Sequence, residues 1–145
     1  MTMIEALQID CVELTGPASG QGVMHVTSYH AQPQGYLNGG ATLAFGEILS
    51  GMLSNQLIRD DQFAVGQSVT ANHMRPMKAE GNLIAKGQLL LQGKTSHVWR
   101  FDMYDESNRL ISQVTVSIFV FIFFFFKEPA PPEFPPFPPP RPSPI

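Results

Sequence analysis

The chain has 145 residues, 43% of them hydrophobic and 14% charged, with a formal net charge of −3. That length suits one domain with a real core, and the sparse charge points to a surface that associates with other protein. There is no basic stripe or Arg-rich segment, so the electrostatic footprint of a nucleic-acid binder is missing and that partner class is excluded.

The opening MTMIEALQIDCVEL lacks a basic segment followed by an apolar core and a cleavage site, and Cys11, the single cysteine, has no partner for an internal disulfide. A reducing, cytoplasmic setting is expected. LQIDCVEL and GVMHVTSY read as two short strands separated by TGPASGQ, whose Gly and Pro supply the bends.

Next comes GYLNGGATLAFGEILSG. Asn38 is a good N-cap, and Ala41, Leu43, Ala44, Phe45, Ile48, Leu49, Met52, Leu53 and Leu57 make the following helix apolar nearly all round. Such a helix belongs inside. AVGQSVTANHM, GNLIAKGQLLLQ, HVWRFDMYD and RLISQVTVSIFVF then read as strands separated by the turn compositions RPMKAEG, GKTS and ESN. The order predicts an α+β domain: one long central helix wrapped by a curved antiparallel sheet of five or six strands.

The chain ends SIFVFIFFFFKEPAPPEFPPFPPPRPSPI. Its apolar part, Ile118 to Phe126, is far shorter than the ~20 residues of a membrane-spanning helix, so no membrane partner is expected. From Lys127 the prolines remove backbone donors and fix φ, which predicts a polyproline-like or disordered segment. The expected organisation is a domain over 1–126 and a tail over 127–145. The tail reads as a reading-frame error or an appended sequence, with a P-x-x-P ligand as the alternative.

The order of elements, with GYLNGGATLAFGE, NHMRPMKAEG and GKTSHVWRFDMYDESNRLIS, resembles the hotdog-fold acyl-CoA thioesterases of the PaaI type over about residues 5 to 122. It is most similar to those that cleave hydroxybenzoyl- or dihydroxynaphthoyl-CoA. The resemblance implies hydrolysis of an aromatic or medium-chain acyl-CoA to free acid and coenzyme A, with no cofactor beyond the coenzyme A of the substrate.

The residues are compatible with that chemistry in their own right. Glu47 shares a helix face with Gly40, Leu43, Ala44, Ser50 and Gly51, all small or apolar apart from one hydroxyl. A carboxylate desolvated there suits a general base or a shielded nucleophile. The alternative is a structural Glu that reaches solvent at an unfilled edge or accepts a bond from the sheet. The first amides of a helix have no intrahelical partner, so those of Gly39 and Gly40 suit a thioester oxyanion, and glycine also permits a tight entry turn.

Gly39 and Glu47 lie eight residues apart. Along one helix that is about 12 Å, whereas a shared carbonyl needs both within about 3–4 Å. If both act on one thioester, the second group comes from another copy, and two antiparallel helices about a twofold axis give two identical sites. Self-association as a dimer, or as a dimer of dimers, is therefore expected, as in the resembled enzymes.

Further roles follow from the resemblance. Gln32 matches the family glutamine that orients the thioester, with Gln34 a close competitor. Asn38 stands where many relatives have histidine; it can hydrogen-bond but cannot titrate. Gly51 stands where relatives often have Ser or Thr to hold water. His73 matches a histidine near the acyl pocket, Arg75 and Lys94 are candidate partners for the coenzyme A phosphates, and Met52, Phe45, Met74 and Trp99 are candidate pocket lining or core. His25, His30 and His97 show no metal-ligand spacing, so no metal is implied. Two alternatives stay open: a hydratase or dehydratase on the same fold, and a non-catalytic acyl-CoA-binding module.

Overall fold

The structure is a computed structural model that describes residues 1–123. The expectations for the tail, including its boundary at 126/127, lie outside the described residues. The chain opens with a short helix, α1 (Met3–Ala6), begun by a reciprocal cap in which Thr2 and Glu5 exchange side-chain and backbone bonds.

Strands β1 (Ile9–Gly16) and β2 (Ser19–His25) form a hairpin. Its turn is narrower than expected from TGPASGQ, because Gly16 already pairs with Ser19. The second strand also stops short of Tyr29. The Thr27 hydroxyl accepts the Tyr29 N–H at 3.2 Å and caps a 3₁₀ turn over Ser28–His30, a local bond that competes with the strand.

Helix α2 (Gly39–Asn55) follows, then β3 (Gln62–His73), β4 (Asn82–Gln92), β5 (Ser96–Tyr104) and β6 (Leu110–Ile122). The six strands form one antiparallel sheet in the order β1-β2-β4-β5-β6-β3. The expected α+β arrangement is present: α2 packs on β3 and β6 and touches β1, β2 and β5, so the sheet curls around it.

Phe45, Leu49 and Leu53 are completely buried in the cluster that contains Trp99, Phe101 and Ile118. Each such side chain contributes about 1.5–3 kcal/mol, which holds the helix against the sheet. Ser54 accepts the Trp99 indole N–H at 2.8 Å and lies 2.8 Å from His97 Nδ1, so the buried polar groups at this end of α2 are satisfied within the chain.

The helix is not enclosed on every side, contrary to what its composition suggests. The sheet buries the face of Thr42, Phe45, Gly46, Leu49, Ser50, Leu53 and Ser54, while Glu47 and Gly40 are exposed and Leu43, Ile48 and Met52 are half-buried. A curled sheet covers one side of a helix. The apolar residues of the other side are left beside the edge strand β3.

Candidate active site

The loop before α2 is pinned at both ends. His30, 1% exposed, accepts the Thr27 N–H on Nδ1 at 3.0 Å, so its Nε2–H donates to the Leu7 carbonyl at 2.8 Å. His30 returns its own carbonyl to the Asn38 N–H at 2.8 Å, and Leu37 N–H bonds Met77 O at 2.7 Å. Between these anchors a tight turn places Gln32 over Leu37, whose carbonyl accepts from Gln32 Nε2 at 3.2 Å.

Asn38 is the N-cap, as its residue type suggests, and Oδ1 accepts the Gly40 N–H at 2.9 Å. This corrects the expectation of two free helix amides. The Gly40 amide is committed to the cap; among the described residues only the Gly39 N–H of the pair has no partner. The helix dipole therefore presents one open donor here.

Gly39 is a glycine for a reason internal to the chain. A methyl group there would sit 2.6 Å from His73 Nε2, so the imidazole occupies the space a side chain would need. His73 ends β3, opposite Ser112 on β6, and the two side chains are joined at 2.9 Å between Nδ1 and Oγ. A recess of about 270 Å³ gathers Gln32, Gly39, Thr42, His73, Arg75 and Ser112, with Met74 and Met77 among its apolar lining. Gln34 is not in this lining, which separates it from Gln32.

Glu47 lies elsewhere, two turns further along α2. It is exposed, so one chain does not desolvate it as its helix neighbours suggest. Nor is it held by the sheet: among the described residues its carboxylate has neither a hydrogen bond nor an ion pair. The carboxylate instead lies across Gly66 in β3, where a Cβ would collide with Oε1 and sit 2.7 Å from Cγ. Gly66 stands at the register shift between Gly66 and Ser68, an irregularity that opens the edge strand beneath the acid.

The remaining candidates divide by position. Gly51 has open space where a side chain would begin, one turn beyond Glu47, and Met52 is half-buried beside it. Phe45 and Trp99 are core, not pocket lining, whereas Met74 is 51% exposed and borders the recess. Arg75 lines that recess without an ion-pair partner among the described residues. Lys94 is not near it. Lys94 borders a second recess, with Leu57, Ile58 and His97, beyond the C-terminal end of α2.

Gly66, Ser112, Thr42 and Tyr36 are site residues that sequence reasoning missed. Only Gly66 carried a signal, as an isolated glycine inside a strand pattern, which marks a bulge or a close approach.

The relatives of the chain are thioesterases. Residues 34–112 match the model of the thioesterase superfamily, more than half of the chain. The chain is 34% identical to the proofreading thioesterase EntH of Cronobacter turicensis, over 74% of this chain and 77% of that protein. It is 29% identical to the 1,4-dihydroxy-2-naphthoyl-CoA hydrolase of Listeria monocytogenes, over 74% of this chain and 89% of that one. The crystal structure of yhdA from Lactococcus lactis superposes with a TM-score of 0.80 at 43% identity, covering 84% of this chain and 98% of that one. The recess at the amino end of α2, the Gly39 amide and Glu47 thus sit in a hotdog fold, and the chain belongs to the thioesterase superfamily of thioester hydrolases.

Proposed function

We propose that the protein hydrolyses acyl-CoA thioesters with an aromatic or medium-chain acyl group, in sites shared between two copies of the chain. The observation that carries this reading is the incompleteness of each half. Among the described residues neither the exposed Glu47 carboxylate nor the Gly39 amide has a partner, and about 12 Å of helix separates them in one chain.

The edge strand β3 supplies the means of completion. Among the described residues its outer backbone edge has no partner in the sheet, and its twelve residues carry one register shift. The other edge, β1, is eight residues long with two shifts and a left-handed Cys11, at φ 52°, and suits pairing less well. Pairing β3 with β3 of a second copy sets two α2 helices antiparallel, so that Glu47 of one faces the Gly39 amide of the other. The same arrangement covers the half-buried Leu43, Ile48 and Met52 and desolvates the acid.

In such a site the Gly39 N–H polarises the thioester carbonyl, Gln32 orients it, and Glu47 either deprotonates the attacking water or attacks the carbon itself. On the base route, collapse of the tetrahedral adduct breaks the C–S bond and the thiolate takes the proton that Glu47 took from water. On the nucleophile route the same collapse leaves an acyl anhydride on Glu47, and water hydrolyses it, giving the free acid, the carboxylate and the proton for the thiol. Antiparallel helices also bring the Lys94 end of one chain towards the Arg75 end of the other, which gives the phosphates two cations. Thiol release measured over a panel of aryl- and alkyl-CoA thioesters tests the reading: turnover of at least one class is expected, and binding without turnover across the panel contradicts it.

A further inference from the structure

The Gly40 amide is spent on Asn38, which leaves the Gly39 amide without a second backbone donor at its side. At the Gly39 Cα the nearest side chain is His73, whose Nε2 fills the space that a Cβ would need. Which nitrogen carries the ring proton then decides whether His73 is a donor or an acceptor in the recess.

Ser112 answers that question. It is 1% exposed, and among the described residues its hydroxyl has one partner, His73 Nδ1 at 2.9 Å. A buried hydroxyl has one proton to donate and needs an acceptor for it. Nδ1 is the acceptor within reach. The Ser112 O–H therefore donates to Nδ1, and the neutral ring keeps its proton on Nε2, on the side of Gly39 and the recess that Gln32 and Arg75 also line.

Resting on the hydrolytic reading above, we infer that His73 Nε2–H is the second hydrogen-bond donor to the thioester oxygen, in the place of the Gly40 amide, and that Ser112 is the positioning residue that fixes its tautomer. The register of β3 on β6 makes this possible, because His73 and Ser112 are directly paired across the two strands. A donor aimed at developing negative charge lowers the barrier more than it strengthens substrate binding. Loss of the pair is thus expected in kcat more than in KM.

The test compares Ser112→Ala with Ser112→Thr, which retains the hydroxyl, and with His73→Ala on the exposed edge strand, where the core is untouched. Expected are a kcat about tenfold lower for Ser112→Ala with KM nearly unchanged, recovery in Ser112→Thr, and a kcat about 10²-fold lower for His73→Ala. Long-range ¹⁵N–¹H spectra of the histidines should show the His73 proton on Nε2 in the wild type and spread over both nitrogens in Ser112→Ala. A wild-type spectrum with the proton on Nδ1, or normal kcat in folded His73→Ala, overturns the inference alone. A wild-type chain that cleaves no acyl-CoA overturns the hydrolytic reading and the donor role together.

Discussion

A hydrogen-bonded serine–histidine pair lies near each end of α2, and the two pairs have different surroundings. Ser54 and His97 are 2.8 Å apart and almost fully buried, with the Trp99 indole N–H as third member. Ser112 and His73 are 2.9 Å apart, with the imidazole on an exposed edge beside the Gly39 Cα. Near-equal distances thus accompany one pair that closes a core and one that opens on a recess. The difference lies in what surrounds the ring: buried apolar neighbours that need every polar atom satisfied, or a cavity with donors to spare.

Changes at the open region should cost turnover and leave the fold alone. Glu47→Gln keeps the volume of an exposed side chain and removes its charge, so kcat should fall about 10²–10⁴-fold with the denaturation midpoint unchanged. Steady-state kinetics beside urea unfolding check this, and near-normal kcat would take Glu47 out of the mechanism.

Changes at the closed region should do the reverse. Ser54→Ala leaves the Trp99 N–H and His97 Nδ1 buried without their partner, at a cost of about 1–3 kcal/mol, while kcat of the folded fraction stays as in the wild type. Chemical denaturation gives the first number. An equal loss of kcat would show that the two ends of the helix are coupled.

A smaller effect on turnover is expected at Gly66. A methyl group there displaces the Glu47 carboxylate from its place on β3, so Gly66→Ala should lower kcat by about tenfold, roughly 1.4 kcal/mol of transition-state stabilisation. Unchanged kcat would mean that the acid acts from another position.

The last contrast is in pH. Burial holds the His97 imidazole below the usual histidine range. An unfolded histidine takes its proton near pH ~6.5 while the folded ring resists, so stability is whole above that pH and declines as pH drops through it. Between pH 7 and pH 5 the unfolding free energy should fall with a slope of at most ~1.4 kcal/mol per pH unit from this group, and the slope should shrink in His97→Asn.

Much of the open region could be read from residue order, because its signals are local. The N-cap at Asn38, the glycine pair and the lone carboxylate on an apolar helix are all contained within one helix and its entrance. The six strands followed from alternation and turn composition in the same way. What could not be read depends on sheet register. Gly66 under Glu47 and Ser112 behind His73 are set by the pairing of β3 with β6, which joins His73 to a residue 39 positions later and passes a bulge. The commitment of Gly40 to the Asn38 cap was implicit in the cap itself, yet both glycine amides were expected to be free. Lys94 and Arg75 resembled a pair by chemistry, and the fold sets them at opposite ends of the helix.

The shared site is the central claim, and subunit mixing tests it most directly. Glu47→Gln and Gly39→Val each disable one half: the first removes the acid, and the second crowds the amide and pushes on His73. In a randomly formed heterodimer one site carries both defects and the other carries neither, so equal mixing with full exchange should restore roughly a quarter of wild-type turnover. Folded heterodimers with no recovered turnover, or a fully active monomer in sedimentation, would contradict the account.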